Sequence, residues 1–362
     1  MNATAPSGDP IINFTLNGSG AGIAKKMMST RESRSRRAHS NEAEQAWQSR
    51  LEFEARRHAG ITKLIDDSYS GRRSIRPLSY KNADCGGCDS LTMCWKGECV
   101  TEVEADLPGS QSYTGTLVEV VEGSAVSLNV VVENSLSSTP AAVDAAKGAA
   151  ALLEASLSDE LSYFGKSSHG GDLDRDGDGR LNLFFTKNQF KAGIEGFFNF
   201  NDFLPAADGA ATGNESDILW GVAPGAGGAT TAGAMGTLVH EYTHLASYGI
   251  RVYGNPTAPL REELWLDESL AHTMEDLMGW GVTNIRAVEE ALGDWDTTGF
   301  ASTRDTVAMR GMGYTLIRFL LDRKGAEAGA SSASDSSLVA KAKEEVKRLI
   351  EGENAGFDHP LF

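Results

Sequence analysis

The chain has 362 residues, 41% of them apolar, and a formal net charge of −17. This length allows one large core or two moderate ones, and no apolar run reaches the ~18 residues needed to span a membrane. The charge is uneven, because residues 1–77 carry 13 basic and 8 acidic side chains. The remaining body is strongly acidic, which argues against nucleic acid as a partner because phosphate contacts need Lys and Arg.

Residues 1–78 are predicted to form a tail followed by one helix. Residues 1–40 are rich in Gly, Ser, Asn and Arg without periodicity, which is typical of disorder, and they show no secretory signal. Four arginines between residues 31 and 37 could bind anions or mark a processing site, but such runs are usually solvated. Residues 41–65 have partial amphipathic character and predict a helix, which could be a pro-segment or a strap on the main domain.

Residues 79–107 are predicted to form a small Cys-rich loop. It contains all the cysteines of the chain, which are Cys85, Cys88, Cys94 and Cys99. A zinc ribbon separates its two pairs by about a dozen residues or more, whereas five residues intervene here. The spacing therefore favours two disulfides over a metal site and leaves the pairing open. Because disulfides persist in oxidising compartments, we expect an extracellular or cell-envelope location although no signal peptide is visible.

Residues 108–362 are predicted to form the main domain. Apolar and polar residues alternate over residues 126–132, which predicts a half-buried strand with residues 117–121 as its hairpin partner. A helix is predicted over residues 140–164, because a proline suits its first turn and a glycine follows its end.

An acidic turn, GGDLDRDGDGRLNLFF, follows this helix. Its four carboxylates, spaced by two, are those of Asp172, Asp174, Asp176 and Asp178. Like charges this close repel one another unless a cation neutralises them, and oxygen ligands at this density suit calcium. A full EF-hand is disfavoured, because Phe185 stands where that loop needs a bidentate Glu. The sequence favours a calcium-binding turn that leads into a strand over residues 181–185, rather than an unliganded acidic turn.

Two further segments precede the helical part of the domain. Residues 196–203, GFFNFNDF, are predicted to be an aromatic loop, and residues 214–222, NESDILWGV, to end in a short apolar strand. Such a strand could bound a cleft and accept an extended substrate at its edge, or it could be an ordinary interior strand. Residues 223–362 are predicted to be mostly helical.

The segment TLVHEYTHLASY, residues 237–248, has the H-E-x-x-H arrangement. His240 and His244 are four residues apart, so on a helix both imidazoles leave one face and can hold one metal ion. Glu241 then lies beside the metal, where a carboxylate can take a proton from an activated water. A solvated helix with accidental histidines is the alternative.

A third ligand is offered by LWLDESLAHTMEDL, residues 264–277. Its apolar residues recur at helical spacing, which predicts an amphipathic helix carrying Glu268 one turn in. Two histidines and one glutamate leave the fourth position of a tetrahedral zinc open, as in catalytic rather than structural sites. Helices are also predicted over residues 284–292, 303–321 and 338–350, and Lys324 and Gly325 are expected to end the second of these.

Together, TLVHEYTHL and LWLDESLAHTMED resemble the gluzincin clan of zinc metallopeptidases, and most of all the hyicolysin-type neutral metalloproteases. DRDGDGRLNLFF, GFFNFND and GNESDILW stand in the order in which that family has similar segments, so that the resemblance covers residues 112–325. It implies an α+β, zincin-like fold with an N-terminal mixed α/β part, a C-terminal helical part and zinc between them. It also implies His240, His244 and Glu268 as zinc ligands and Glu241 as general base.

The activity that the resemblance implies is zinc-dependent hydrolysis of peptide bonds in proteins, and the acidic turn adds calcium as a second expected cofactor. The residue that would stabilise the oxyanion is not fixed by any motif. Tyr314, Arg310 and His272 are candidates, although His272 could instead hold a zinc ligand in place. A catalytically inactive zincin-fold binding protein and an intracellular zinc hydrolase with reduced cysteines are the alternatives. We expect a monomer that acts on a protein or peptide substrate.

Overall fold

The computed structural model describes residues 41–70, 85, 88–89, 91–107, 111–187, 195–204, 213–225, 231–255, 258–294, 299, 305–329 and 336–352. The predicted disorder of residues 1–40 and their arginine cluster lie outside these ranges. The longer helices are α1 Asn41–Tyr69, α2 Pro140–Tyr163, α3 Thr231–Tyr248, α4 Leu264–Leu277, α5 Asn284–Asp294, α6 Val307–Glu327 and α7 Ser336–Glu351. The strands are β1 Met93–Trp95, β2 Glu98–Val100, β3 Glu102–Leu107, β4 Gln111–Val121, β5 Ser127–Glu133, β6 Arg180–Thr186, β7 Gly196–Phe198 and β8 Ile218–Val222.

Six of the strands form one sheet in the order β3-β4-β5-β6-β8-β7. Strands β5, β6 and β8 run parallel, and the other pairs are antiparallel. The predicted hairpin is confirmed, since β4 pairs with β5. The prediction that this second strand is half-buried is wrong, because Asn129 and Val131 are buried as well. Strand β5 has a neighbour on each side, β4 antiparallel and β6 parallel, and packing on both faces leaves it without a solvated surface.

The aromatic segment predicted to be a loop contains strand β7 and a 3₁₀ helix, Phe200–Phe203. Its composition did not reveal a strand, because β7 is held by pairing with β8 and by stacking of Phe197 on Trp220 at 5.8 Å. Strand β8 is consequently interior, and the interior interpretation of that segment is correct. Among the described residues, β7 forms the sheet edge nearest the H-E-x-x-H helix.

The Cys-rich segment forms two disulfides, as expected from its spacing. The pairs are Cys85–Cys94 and Cys88–Cys99. They brace the β1–β2 hairpin, whose turn places Lys96 and Gly97 at positive φ, as a tight two-residue turn requires. Strand β3 of the predicted Cys-rich loop pairs with β4, so this segment also contributes to the main sheet.

Helices cover the face of the sheet opposite to the β1–β2 hairpin and continue into the C-terminal half. Helix α2 ends at Tyr163, and Gly165 follows with φ +71°, a conformation that glycine adopts at a helix end. Gly325 was expected to end the late helix but lies inside α6, where an added Cβ would come within 2.0 Å of Leu338. Its lack of a side chain lets α7 approach.

One large core connects the sheet with the helices, so the described residues form a mixed α/β fold. Val130 of β5, Tyr242 of α3, Leu266 of α4 and Met309 of α6 all belong to it. A smaller cluster on the opposite face of the sheet includes Met93, Trp95, Val131, Phe184 and Trp220. None of the helices in the described ranges has the length and apolarity needed to cross a bilayer.

Candidate metal centre

Helix α3 carries the H-E-x-x-H residues through the interior of the molecule. Every residue from Ala234 to Tyr248 is buried, because the helix lies between the sheet, α2 and α4. The rings of His240 and His244 leave the same face and their centroids are 4.8 Å apart. The spacing of four residues therefore produces the shared face that the sequence predicts.

Helix α4 brings Glu268 to this face. The Nε2 atoms of His240 and His244 lie 3.3 and 3.7 Å from the two carboxylate oxygens of Glu268. One ligand atom from each residue lies within 4.8 Å of the other two, and all three side chains are buried. The three predicted ligands thus surround one point and could hold a metal ion.

Two carboxylates that the sequence interpretation missed fix the orientation of the imidazoles. Glu275 Oε1 lies 2.7 Å from His240 Nδ1, and Asp267 Oδ2 lies 3.1 Å from His244 Nδ1. With each Nδ1 engaged, the Nε2 atoms face Glu268, as in metal sites where a carboxylate holds the far side of a histidine ligand. Both carboxylates are on α4, and Glu275 is two turns beyond Glu268, so helical spacing was the signal for it.

His272 contacts this supporting group. Its Nδ1 lies 2.8 Å from Glu275 Oε1 and 2.8 Å from Asn284 Oδ1. It therefore borders the carboxylate that holds His240, and these contacts favour a supporting role over a catalytic one.

The charges of the site depend on one another. Burial alone would lower the pKa of His240, but its hydrogen bonds with Glu268 and Glu275 raise it to about 9. Burial would raise the pKa of Glu268, but Arg310 and His244 hold it well below its usual range. An anionic carboxylate next to a protonated imidazole is a pair from which a divalent cation would displace the proton.

Of the proposed oxyanion residues on α6, Arg310 is the one that contacts the predicted ligands. Its guanidinium lies 2.8 Å from Glu268 Oε2 and is also paired with Asp305 at 2.6 Å. Tyr314 lies beside Asp276 and Arg318, and burial together with Asp276 raises its pKa. Helix α6 thus directs Arg310, and not Tyr314, to the carboxylate of Glu268.

Helix α1 also enters the site, which the sequence interpretation did not foresee. The guanidinium of Arg57 lies 3.0 Å from Glu241 Oε2 and 3.1 Å from Glu268 Oε1. The next residue, His58, lies 2.9 Å from Asp267 Oδ2. The available signal was that charged residues interrupt the apolar stripe of this predicted helix.

The acidic turn forms a second group of carboxylates, with a membership that differs from the predicted one. Oxygens of Asp174, Asp176 and Asp217 lie within 4.8 Å of one another. Asp176 is buried, and its Oδ1 has no hydrogen-bond partner among the described residues. Burial and the neighbouring carboxylates raise the pKa of both Asp176 and Asp217 well above the usual range. A cation could relieve this repulsion, so the group could hold a metal ion.

The other two predicted calcium ligands are not part of this group. Asp178 accepts hydrogen bonds from the backbone N–H groups of Cys94 and Arg180 at 3.3 and 2.8 Å. Asp172 packs against Gly254, where an added Cβ would contact its carboxylate. Asp217 was missed because it follows the turn by a long segment and joins it only through the pairing of β6 with β8.

A scan against protein-family models found no match to this chain, and searches of curated proteins and of solved structures found none either.

Proposed function

We propose that this chain is a zinc-dependent metalloendopeptidase with a zincin-like, gluzincin-type arrangement. The observation that carries the proposal is the convergence of His240, His244 and Glu268 on one point, with Glu241 on the turn between the histidines. Two imidazoles and one carboxylate are a typical ligand set of catalytic zinc and leave one position open. When bound, zinc would polarise the substrate carbonyl and activate a water.

Glu241 is the proposed general base. Its Oε2 accepts a hydrogen bond from the backbone N–H of Phe198 at 3.0 Å, which fixes the carboxylate beside the histidines. Burial and the neighbouring Glu54 raise the pKa of Glu241, which makes its carboxylate a stronger proton acceptor. In the proposed reaction Glu241 accepts the proton of the attacking water and then gives it to the leaving amine.

Strand β7 provides the proposed substrate edge. It is next to α3, and its residue Phe198 contacts the proposed base. An extended peptide that adds to this edge would be held by backbone hydrogen bonds. Such binding recognises the main chain of the substrate rather than particular side chains. This suits an enzyme that acts on unfolded protein or peptide segments.

The proposal is tested with Glu241→Gln, which keeps the size of the side chain and removes the base. We expect this variant to retain zinc and to lose peptide hydrolysis by about 10²-fold or more. The exposed Glu289→Gln is the matched control and should behave as wild type. Zinc-loaded Glu241→Gln that cleaves casein at the wild-type rate would remove Glu241 as the base.

We further propose that Asp174, Asp176 and Asp217 bind calcium. Calcium prefers oxygen ligands, and the Asp176 oxygen without a hydrogen bond supports the assignment. Binding should stabilise the folded protein by about 2.7 kcal/mol at a hundredfold excess over Kd, seen as a rise in Tm. The rise should be lost in Asp176→Asn, and an equal rise in both proteins would contradict this site.

The cellular location that we propose is inferred from the disulfides. Two disulfides are consistent with an extracellular protein, and we propose that the chain acts outside the cell or in the cell envelope, as a monomer.

A further inference from the structure

Helix α1 lies across the junction of the sheet and the helical half, over the proposed base. Its buried apolar residues Ile61, Leu64 and Ile65 join the large core. Phe53 packs edge-to-face on Phe197 of β7, with ring centroids 5.0 Å apart. The same helix therefore covers the β7 edge where a substrate would be expected to bind.

The charged residues of α1 are directed into the metal centre. Arg57 and Glu54 are among the most buried charged side chains of the helix, 3% and 1% exposed. One nitrogen of Arg57 lies between Glu54 and Glu241, at 2.9 and 3.0 Å, and the other lies 3.1 Å from Glu268. A single guanidinium thus joins the proposed base to the proposed zinc ligand.

This position conflicts with the proposed chemistry in two ways. The Oε1 atom of Glu268 that pairs with Arg57 also faces His244 Nε2, at 3.7 Å. A guanidinium and a divalent cation that share this oxygen repel each other at a separation of a few ångströms in a poorly solvated interior. In addition, Arg57 contacts the Oε2 atom of Glu241, which also accepts the hydrogen bond from the Phe198 N–H, so this oxygen is occupied and cannot accept a proton from a water.

Substrate access is limited by the same helix. A small cavity of about 20 Å³, with room for about one water, lies next to the metal centre. Arg57 and Ile61 of α1 form one wall, and Phe198, His244 and Val252 are on the other sides. Departure of α1 would open this cavity and the β7 edge together.

We propose that α1 is an inhibitory segment built into this chain, and that Arg57 is the latch that competes with the metal ion and disables the base. In this proposal, α1 of the same chain occupies the cleft between β7 and the metal centre. The effect on catalysis rests on the proposed peptidase function, whereas the competition with metal rests only on the three ligands and Arg57.

The test compares full-length wild type with Arg57→Met, which keeps an apolar stem and removes the charge. Zinc affinity is measured by competition with a chromophoric chelator, and hydrolysis with casein. We expect Arg57→Met to bind zinc about tenfold more tightly or better, since about 1.4 kcal/mol of competition corresponds to that factor, and to cleave faster. Arg56→Met is the matched control, because the Arg56 side chain is 58% exposed, and it should match wild type.

A second variant tests the proposal without this loss of charge. It is needed because removing Arg57 leaves buried carboxylates uncompensated and destabilises the metal-free protein. Phe53→Ala loosens α1 from β7 without altering any group at the metal centre, and it should shift zinc affinity and cleavage in the same direction by a smaller factor. Unchanged zinc affinity and unchanged cleavage in both variants would overturn the latch. Folded Arg57→Met with weaker zinc binding or slower cleavage would also overturn it, and would make Arg57 a supporting part of the site.

Different results would contradict the latch and the peptidase function. Tighter zinc binding by Arg57→Met without cleavage by any variant would support the latch and contradict the peptidase. Cleavage by wild type with no change in either variant would support the peptidase and contradict the latch.

Discussion

The candidate metal centre contains carboxylates in two positions relative to its histidines. Glu268 faces the Nε2 atoms of both histidines, whereas Glu275 and Asp267 hold their Nδ1 atoms. Glu268 and Glu275 raise the pKa of His240, and the outer carboxylates hold the two rings in place, which should contribute measurably to affinity for a metal ion.

Substitution of Glu275 tests this contribution at the scale of one residue. Glu275→Gln removes the charge that holds His240 and contacts His272, and we expect zinc affinity to fall about 10- to 100-fold. The measurement is zinc competition against a chelator of known affinity, with Glu289→Gln as control. An affinity equal to that of wild type would mean that Glu275 is structural only.

The individual site residues were predictable to the extent that they are close in sequence. His240, Glu241 and His244 form one helical turn, and Glu268 lies on a second amphipathic helix. The charged residues of α1 were a signal that this helix has a polar contact, but the contact of Arg57 with Glu241 could not be predicted, because 184 residues separate the two. Asp217 joins the acidic turn for a similar reason, through strand pairing that no local pattern encodes.

Among the helices, α2 packs on α3 with a carboxyl group in the contact. Glu160 is buried and accepts a hydrogen bond from Thr243 at 2.7 Å. Burial raises its pKa well above the usual 4.5, so the folded protein retains a proton that the unfolded chain releases. Wild type should therefore lose stability as pH rises above about 4.5, up to the folded pKa.

Glu160→Gln cannot ionise and should escape this loss. The variant should gain on wild type in free energy of unfolding as pH rises from about 5 to about 8, by at most ~1.4 kcal/mol per pH unit. Denaturant unfolding of chelator-treated protein at both pH values provides the measurement. A difference between the two proteins that does not change with pH would show that Glu160 is ionised in the folded state.

The β1–β2 hairpin is the element that depends on disulfides. Its residues Met93 and Trp95 pack in the smaller cluster, on the sheet face opposite the large core. Replacing Cys88 and Cys99 together with Ser should reduce the free energy of unfolding by about 2–4 kcal/mol while leaving one zinc per chain. Loss of zinc from the folded variant would show that the hairpin also supports the metal centre.

Elements with a strong local pattern were predicted well, and those held by tertiary contacts were not. The β4–β5 hairpin and α2 to α4 follow apolar periodicity and turn residues. The burial of both faces of β5, and the strand character of β7, arise only when the sheet is assembled. The end of α6 was misplaced because Gly325 serves close packing with α7 rather than termination.

At the scale of the whole molecule, the candidate metal centre lies where the sheet and the helices meet. Helix α3 packs on the sheet and presents its histidines to α4, while α1 closes the junction from outside. The general arrangement, a mixed α/β part followed by a helical part, could be predicted from the sequence. The inward direction of α1 could not, because the partners of its buried charges include Glu241 of α3 and Glu268 of α4, which are far away in the sequence.

The most direct test of the zinc peptidase assignment is to measure bound zinc and casein hydrolysis on the same preparation, before and after treatment with a chelator. Wild type and Arg57→Met are compared, so that a closed latch is not mistaken for an inactive site. We expect one zinc per chain, with cleavage that is faster in Arg57→Met, lost with the chelator and restored by added zinc. Folded protein that takes up no zinc in either form, or cleavage that survives removal of the metal, would contradict the account.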